Sequence, residues 1–481
     1  MKIIFTSIFT ILLVGVFGQD FMTTNAIIVA DGEGSHHPQI EILNDGVPAI
    51  TWTDGASKNI YFAKHDGISG FNTPIQLNPT GLDVQSYNWS GPDLAIEGDN
   101  IYVVFKSYGY ETGGIYVVKS TNNGTTFGDT VRVDDLADGF AQYPDLTVLN
   151  DTVYVTFMNH DTGGSNPSYD VARSVDGGLT FGDEVLGGTL ITGEACDCCQ
   201  PEISVNDDFL MVFYRNNDDN IRDIKAVISY DRGASFTDWI SADDHNWLIP
   251  ACPATGPDTR FIDDSKIAVT YKSEVDDNPK VFLNIYDLDA DVSVEMIEIY
   301  SSDAMANSLN YPQVCFDDGM LGIVWEDFAT GTSLDVFFNS SSSTDIDFNP
   351  DNALNLTELA GVQSKPDIAL NSGIFHVVYA DAMDNNLYYL QVGEPNSLPE
   401  FNSELSFNTY MSATNEQLIV DFSGKELDHL SITISDINGK LIEMQTMANS
   451  HFEMSTKDWS SGVYLVTLTG NGQRVTKKVV R

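Results

Sequence analysis

The sequence predicts an all-β chain, a seven-bladed β-propeller followed by a small Ig-like β-sandwich. A Pro, a polar residue and then an apolar residue (Thr259 in the fifth repeat) recur at Pro38, Pro92, Pro144, Pro201, Pro257, Pro312 and Pro366, at spacings of 54, 52, 57, 56, 55 and 54 residues. A fixed period of this size marks a repeat architecture. An aromatic follows each Pro by 12 to 14 residues: Trp52, Phe105, Phe157, Phe213, Tyr271, Trp325 and Tyr379. Aromatics are only 11% of the chain, so seven of seven in register is not chance. Each repeat carries short β-branched and aromatic runs bounded by Asn, Asp and Gly, as in residues 143–148, 153–157 and 170–174. Four such strands make one sheet, and seven sheets around an axis make a propeller. A stacked solenoid is the competing arrangement.

Taken in order, residues 1–18 read as a secretory signal peptide. Lys2 gives the charge, Ile3 to Phe17 the apolar core, and Val16-Phe17-Gly18 the cleavage site. The apolar run is too short to span a membrane comfortably, and no transmembrane anchor is expected. The propeller is expected over residues 19–392. Its first strand run, Ala26 to Val29, precedes Pro38 with no blade before it, while the last repeat shows three strands ending near Leu390. The N-terminal run is therefore expected to complete the last blade and close the ring, against Tyr388 and Tyr389.

The net charge of −47 argues against nucleic acid and against anionic membranes as partners. With 42% hydrophobic residues the chain has ample material for a core and is not an acidic disordered chain. A monomer is expected.

Three repeats share a turn between their third and fourth strands: Ser120-Thr121-Asn122-Asn123-Gly124-Thr125-Thr126-Phe127, Ser174 to Phe181, and Ser229 to Phe236. The Asp or Asn accepts bonds within its own turn, the Gly takes a positive φ, and the aromatic is expected to pack back on the sheet. Here the chain resembles the Asp-box (BNR repeat) propellers, a group that includes sialidases. A sialidase resemblance implies an arginine triad, a Tyr nucleophile with a Glu partner, an Asp acid/base and six blades. No Arg precedes residue 132, and His36-His37-Pro38 stands where an early Arg-Ile-Pro is implied. No sialidase catalytic residue is therefore carried over.

Residues 393–404 read as a linker and 405–481 as a second β module. Ser435-Asp436-Ile437-Asn438-Gly439-Lys440, Trp459-Ser460-Ser461-Gly462-Val463-Tyr464 and the basic end Lys477-Lys478-Val479-Val480-Arg481 resemble the C-terminal sorting domain of the type IX secretion system. That resemblance implies a Bacteroidota-type bacterium, the type IX secretion machinery as a partner, delivery to the medium or outer cell surface, and removal of the tail. The usual opening Pro-Asn-Pro is missing, and Asn408-Thr409-Tyr410 stands in its region.

In a propeller, loops before the inner strand and after the second strand share one face, and the Asp-box turns mark the other. The loop face should carry His36, His37, Trp89, Lys106, His160, Arg215, Lys272, Glu274, Glu326, Asp327 and Asp381. Glu326, Asp327, Asp381 and Glu274 suit a paired-carboxylate glycosidase, each with solvated surface carboxylate as the plainer reading. His36, His37 or His160 with Lys106 or Arg215 suit a uronate lyase. Either activity implies an extracellular glycan as partner, while a non-catalytic adhesion or assembly protein is the alternative.

Cys196-Asp197-Cys198-Cys199 and Cys252 fall on adjacent blades of this face. In an exported protein a bridge from Cys252 to one of the three is expected, the other two being available for a second, strained bridge. Thiolates with Asp197 or His160 holding a metal are the alternative. Cys315 reads as a buried thiol. The residues after the repeat prolines are Gln39, Asp93, Asp145, Glu202, Asp258, Gln313 and Asp367. The acids read either as partners of neighbouring backbone or as a ring attracting a cation. Asp287 to Asp291 and Asp345 to Asp351 alternate oxygen ligands suited to Ca²⁺, without the Gly and terminal Glu of a full calcium loop.

Overall fold

Seven antiparallel sheets are arranged as propeller blades in the computed structural model. It describes residues 21–31, 35–67, 70–87, 90–135, 139–161, 165–187, 190–301, 309–328, 333–357, 361–393, 406–412, 416–423, 431–436, 440–446, 451–457, 459–470 and 473–481. The signal peptide expected over 1–18 lies outside them. Blade 1 is Ser35–Ile42, Pro48–Asp54, Asn59–Lys64 and Ile75–Gln76 from inside out. The inner strands of blades 2 to 6 are Asp93–Glu97, Phe140–Leu149, Glu202–Val205, Asp258–Phe261 and Asn310–Asp317.

Blade 7 takes three strands from the end of the repeats, Gln363–Asn371, Ile374–Asp381 and Asn386–Gly393, and its fourth, Ile27–Asp31, from the start. Ile27 pairs with Tyr389 and Ile28 with Tyr388, the closure the sequence predicts. Phe21 adds edge-to-face contacts with Phe338 and Phe375.

The core lies between blades rather than within them. Seven buried clusters each join neighbours, from Phe62 and Ile101 of blades 1 and 2 round to Trp52 and Tyr389 of blades 1 and 7. All seven repeat aromatics are buried in these seams. The strands read as apolar on both faces because each face meets another blade.

The three shared turns have the expected geometry. Asp176 Oδ1 accepts from the Thr180 and Leu179 amides at 2.9 and 3.1 Å, and Ser174 Oγ accepts from the Gly178 amide at 2.8 Å. Asn122 and Asp231 repeat the pattern with Thr126 and Ser235. Gly124 sits at φ 72°, and a Cβ there would lie 2.5 Å from Phe62, so both backbone and space require glycine. The turn aromatics differ from expectation. Phe127 packs on Phe62 of the previous blade, 5.0 Å between ring centres, so it seals a seam instead of folding back on its own sheet. The Gly177 amide donates to the Asp151 carbonyl of the turn between the first two strands, which places both kinds of turn on one face.

Residues 406–481 form a three-stranded sheet, Ser406–Met411, Gln417–Ser423 and His451–Ser455, and a four-stranded arrangement of Ser431–Asp436, Leu441–Thr446, Val463–Gly470 and Gln473–Val480. Leu418, Val420, Ile432, Ile434, Val466 and Leu468 are buried together in a small sandwich core. Trp459 packs on Tyr464 with ring centres 4.3 Å apart. One backbone pairing, Ile27 with Gln473, joins this unit to blade 7. No helix among the described residues is long and apolar enough to cross a membrane.

Candidate functional site at the channel mouth

The inner strands of blades 1, 3, 6 and 7 are broken just before the repeat Pro. His37, Tyr143, Tyr311 and Lys365 take φ of 43°, 47°, 46° and 54°, and the strand register shifts across each of them. The left-handed region is costly for residues other than glycine, about 1–3 kcal/mol each, and non-glycine residues held there cluster at functional positions. Three of the four, His37, Tyr311 and Lys365, line the mouth of the central channel with Ser90, Gly91 and Gln200. Blade 2 has Gly91 there because a Cβ would lie 2.3 Å from the His37 Cβ. The sequence reading found His37 but missed Tyr311, Lys365 and Gln200. Their position immediately before a repeat Pro was the available signal.

Behind the mouth stands Glu326, 6% exposed. Its Oε2 accepts from the Lys365 backbone amide at 2.8 Å. Burial pushes its carboxyl up to about 7, against the pull of the Lys365 amide and of the Lys365 and Lys272 charges. Burial likewise lowers Lys365 to about 8. Burial first, then the Glu326 charge, raises the Tyr311 phenol, whose ring meets His37 edge-on with centres 5.8 Å apart. The mouth thus gathers an amine able to lose a proton, a phenol and an imidazole, with an acid able to hold a proton near neutrality directly behind them.

The other expected face residues divide. Arg215 is fully buried and gives its donors to three backbone carbonyls, Thr255 at 3.0, Arg222 at 2.6 and Lys272 at 2.8 Å. It clasps three segments together. Lys106 is buried and donates to the Gly113 carbonyl at 2.9 Å. Lys272 lies buried over Trp247, whose Nε1 donates to Glu274 at 3.0 Å. His160 is buried and stacked on Phe140, 4.7 Å between ring centres. Asp381 accepts from Gln363 Nε2 at 2.7 Å and the Met383 amide at 2.8 Å. Asp327 is fully buried beside Glu326. Trp89 and the His36 side chain lie outside the described residues.

Beneath the mouth the channel widens to about 400 Å³, walled by Asp93, Glu202, Asp258 and Asp367 and reaching Asn44 and Gly98 on the face opposite the mouth. The mouth itself holds about 60 Å³. Three of the acids after the repeat prolines meet neighbouring backbone. Asp145 accepts from the Ile203 amide at 2.6 Å, Asp258 from Val314 at 2.5 Å, and Asp367 from Ile40 at 2.7 Å, each on the next blade. Arg260 supplies a positive charge among them, 3.1 Å from Glu41, 3.6 Å from Glu202 and 3.5 Å from Asp258. Burial, then a neighbouring acid's charge, raises the carboxyls of Asp145, Glu202 and Asp367.

Among the described residues, one set of His, Cys, Asp or Glu ligand atoms gathers within 4.8 Å, and it is Cys196, Cys198 and Cys199. Among the described residues, neither acidic run expected to suit Ca²⁺ brings three His, Cys, Asp or Glu ligand atoms together. Asp287 accepts from the Ala290 amide in its own turn, and Asp291 from the Tyr286 hydroxyl. Asp347 and Asp351 offer their amides to Ser341 and Asn349. Cys198 and Cys252 form a disulfide, with Cα atoms 6.2 Å apart, while Cys196 and Cys199 are free thiols where bridging had been open. Their loop interrupts the inner strand of blade 4, between Glu194–Ala195 and Glu202–Val205. Cys315 is buried between blades 6 and 7.

Residues 412–481 match the family described as the secretion system C-terminal sorting domain. The tail is a type IX sorting domain. The protein is a type IX cargo, secreted or held at the outer cell surface. No curated protein matches the chain. Among solved structures, a Dyadobacter fermentans protein of unknown function is 11% identical with a TM-score of 0.47, over 78% of this chain and 99% of that one. The α-L-arabinofuranosidase Arb93A of Fusarium graminearum is 12% identical at TM-score 0.46, over the same shares. The phage phi92 endosialidase is 10% identical at 0.47, over 84% of this chain and 74% of its own.

Proposed function

We propose that the propeller binds or processes extracellular glycans at the channel mouth on its loop face. The supporting observation is Glu326, a buried carboxyl raised to about 7 beside Lys365 and Tyr311. A carboxyl with that affinity for its proton can act as a general acid at neutral pH. With about 60 Å³ the mouth accepts one polar group of a sugar, and the rest of the glycan lies across the loops. There Tyr108 and Tyr110 stand about half exposed, Tyr110 within 5.2 Å of the Phe140 ring. Such rings offer apolar faces on which a pyranose can stack. We further propose that the chain divides into the signal peptide 1–18, an Asp-box propeller 19–392, a linker 393–404 and the tail 405–481, and that the source is a Bacteroidota-type bacterium.

A second reading is a non-catalytic adhesion protein that holds glycans through the tyrosines alone, favoured by the narrowness of the mouth. The purified propeller should be screened for retention and turnover against sulfated, sialylated and uronate polysaccharides. The catalytic reading expects Glu326→Gln to keep binding and abolish turnover. Binding without turnover, lost in the Tyr108→Ala/Tyr110→Ala double variant, selects the adhesion reading. Neither retention nor turnover of any of these polysaccharides overturns both.

A further inference from the structure

The four cysteines around the blade 4 loop form two pairs of different kind. Cys198–Cys252 is bridged, and Cys252 is exposed. Cys196 and Cys199 are free and fully buried, with Sγ atoms 3.0 Å apart. Cys196 Sγ also stands 3.5 Å from Cys198 Sγ. Arg222 Nη1 donates to Cys196 Sγ at 3.0 Å. A cation held there favours the thiolate, which is the nucleophile in disulfide exchange. The Cys199 hydrogen bond first, then Arg222 and Arg215, brings the Cys196 thiol to about 7, while burial raises Cys199.

We propose that these four sulfurs are a disulfide relay, in which the exposed Cys198–Cys252 bridge passes its oxidation inward and the exported protein carries a second bridge, Cys196–Cys199. In the first step the Cys196 thiolate attacks Cys198 Sγ. The Cys196–Cys198 bond forms, the Cys198–Cys252 bond breaks, and Cys252 leaves as a thiolate that takes up the proton Cys196 gave to solvent. Cys199 then loses its proton and attacks Cys196 Sγ, forming Cys196–Cys199 and releasing Cys198, which is protonated in turn. One disulfide is consumed and one made, so no electrons leave the protein. An external disulfide, that of a thiol oxidoreductase of the export compartment, then re-forms Cys198–Cys252 through Cys252 and is itself reduced to a dithiol. The relay explains how two sulfurs with no exposed surface are oxidised in a folded blade. It also reaches the channel. The Cys199 carbonyl accepts from the Tyr169 hydroxyl at 2.5 Å, and the next residue, Gln200, lines the mouth. The inner bridge fixes that wall.

The test uses the full secreted chain. Alkylation and peptide mapping without reduction should find two bridges and one free thiol, Cys315. Three free thiols, with or without stoichiometric copper or zinc, overturn the inner bridge. Native protein reduced with dithiothreitol and reoxidised with glutathione disulfide should show Cys198–Cys252 before Cys196–Cys199. In Cys252→Ser the inner pair should oxidise at least about tenfold more slowly, because the exposed sulfur that starts the exchange is gone. An inner bridge that forms first in the wild type, or at the wild-type rate in the variant, overturns the relay. The order of appearance in the wild type decides the matter even if the variant does not fold.

Discussion

Replacing Glu326 by Gln removes one titration and leaves its shape and its acceptor for the Lys365 amide. The wild-type carboxyl is raised from an ordinary 4.5 to about 7 because it is buried. A raised carboxyl means that the folded protein binds the proton more tightly than the unfolded chain does. That stabilisation is complete below about pH 4.5 and is lost as pH rises through about 7. Each pH unit between those two values is worth about 1.4 kcal/mol, so the full effect is about 3.4 kcal/mol. Roughly 0.8 of this is already lost at pH 5, and nearly all of it by pH 7.5, leaving a change of about 2.4 kcal/mol between the two. The upper pH stays below the value of about 8 to which Lys272 and Lys365 are lowered. Urea unfolding of both proteins at pH 5 and 7.5 measures the difference. The Gln variant should gain about 2–3 kcal/mol on the wild type between the two pH values. Stability profiles that run parallel within about 0.5 kcal/mol would refute the burial of an ionisable carboxyl at the mouth.

Three further outcomes follow from the fold. Starting the mature protein at residue 33 removes Ile27, Ile28 and Val29, each partly buried against blades 6, 7 or 1; at about 1 kcal/mol per side chain the gross loss is about 3 kcal/mol, and the melting temperature should fall by several degrees. An unchanged melting temperature would count against the closure. Deleting the tail from residue 405 should trap the propeller in the periplasm of its host, and a truncated form found in the medium or at the cell surface would contradict its sorting role. Gly124→Ala should cost about 1–3 kcal/mol in denaturant unfolding, because the left-handed backbone and the Phe62 ring both oppose a Cβ; a wild-type midpoint would show that the turn relaxes freely.

The architecture was legible because every blade repeats the same physical solution. The prolines and the buried aromatics recur in register in all seven blades and the Ser-to-Gly turns in three, and even the closing strand could be placed by its distance from Pro38. The direction in which the turn aromatics pack was not legible, since Phe127 looks the same in sequence whether it meets its own sheet or the neighbouring blade's Phe62. The site was harder for a related reason. Lys106, Arg215 and His160 were placed by register at the loop face, but register does not say whether a side chain points outward or turns back to satisfy carbonyls. Arg215 does the latter with three of them. Tyr311 and Lys365 stand directly before a repeat Pro, where the loop face was expected, but no side-chain chemistry in the sequence singled them out among the residues at that position. The left-handed bulge that swings them into the mouth is a backbone property that no side-chain pattern announces.

The pairing of Ile27–Asp31 with Asn386–Gly393 separates the order of synthesis from the order of placement. The strand made first cannot be seated until its partner, some 360 residues downstream, has been made. Until that partner emerges, the apolar flanks of blades 1 and 7 have no neighbour, and contacts at such separation form slowly. The sorting tail follows directly after the closing partner, so the address that sends the protein outward is completed only after the ring has all the strands it needs. A chain cut short in synthesis is thus left with an open ring and no address, and unfinished propellers are kept from export without any separate inspection step.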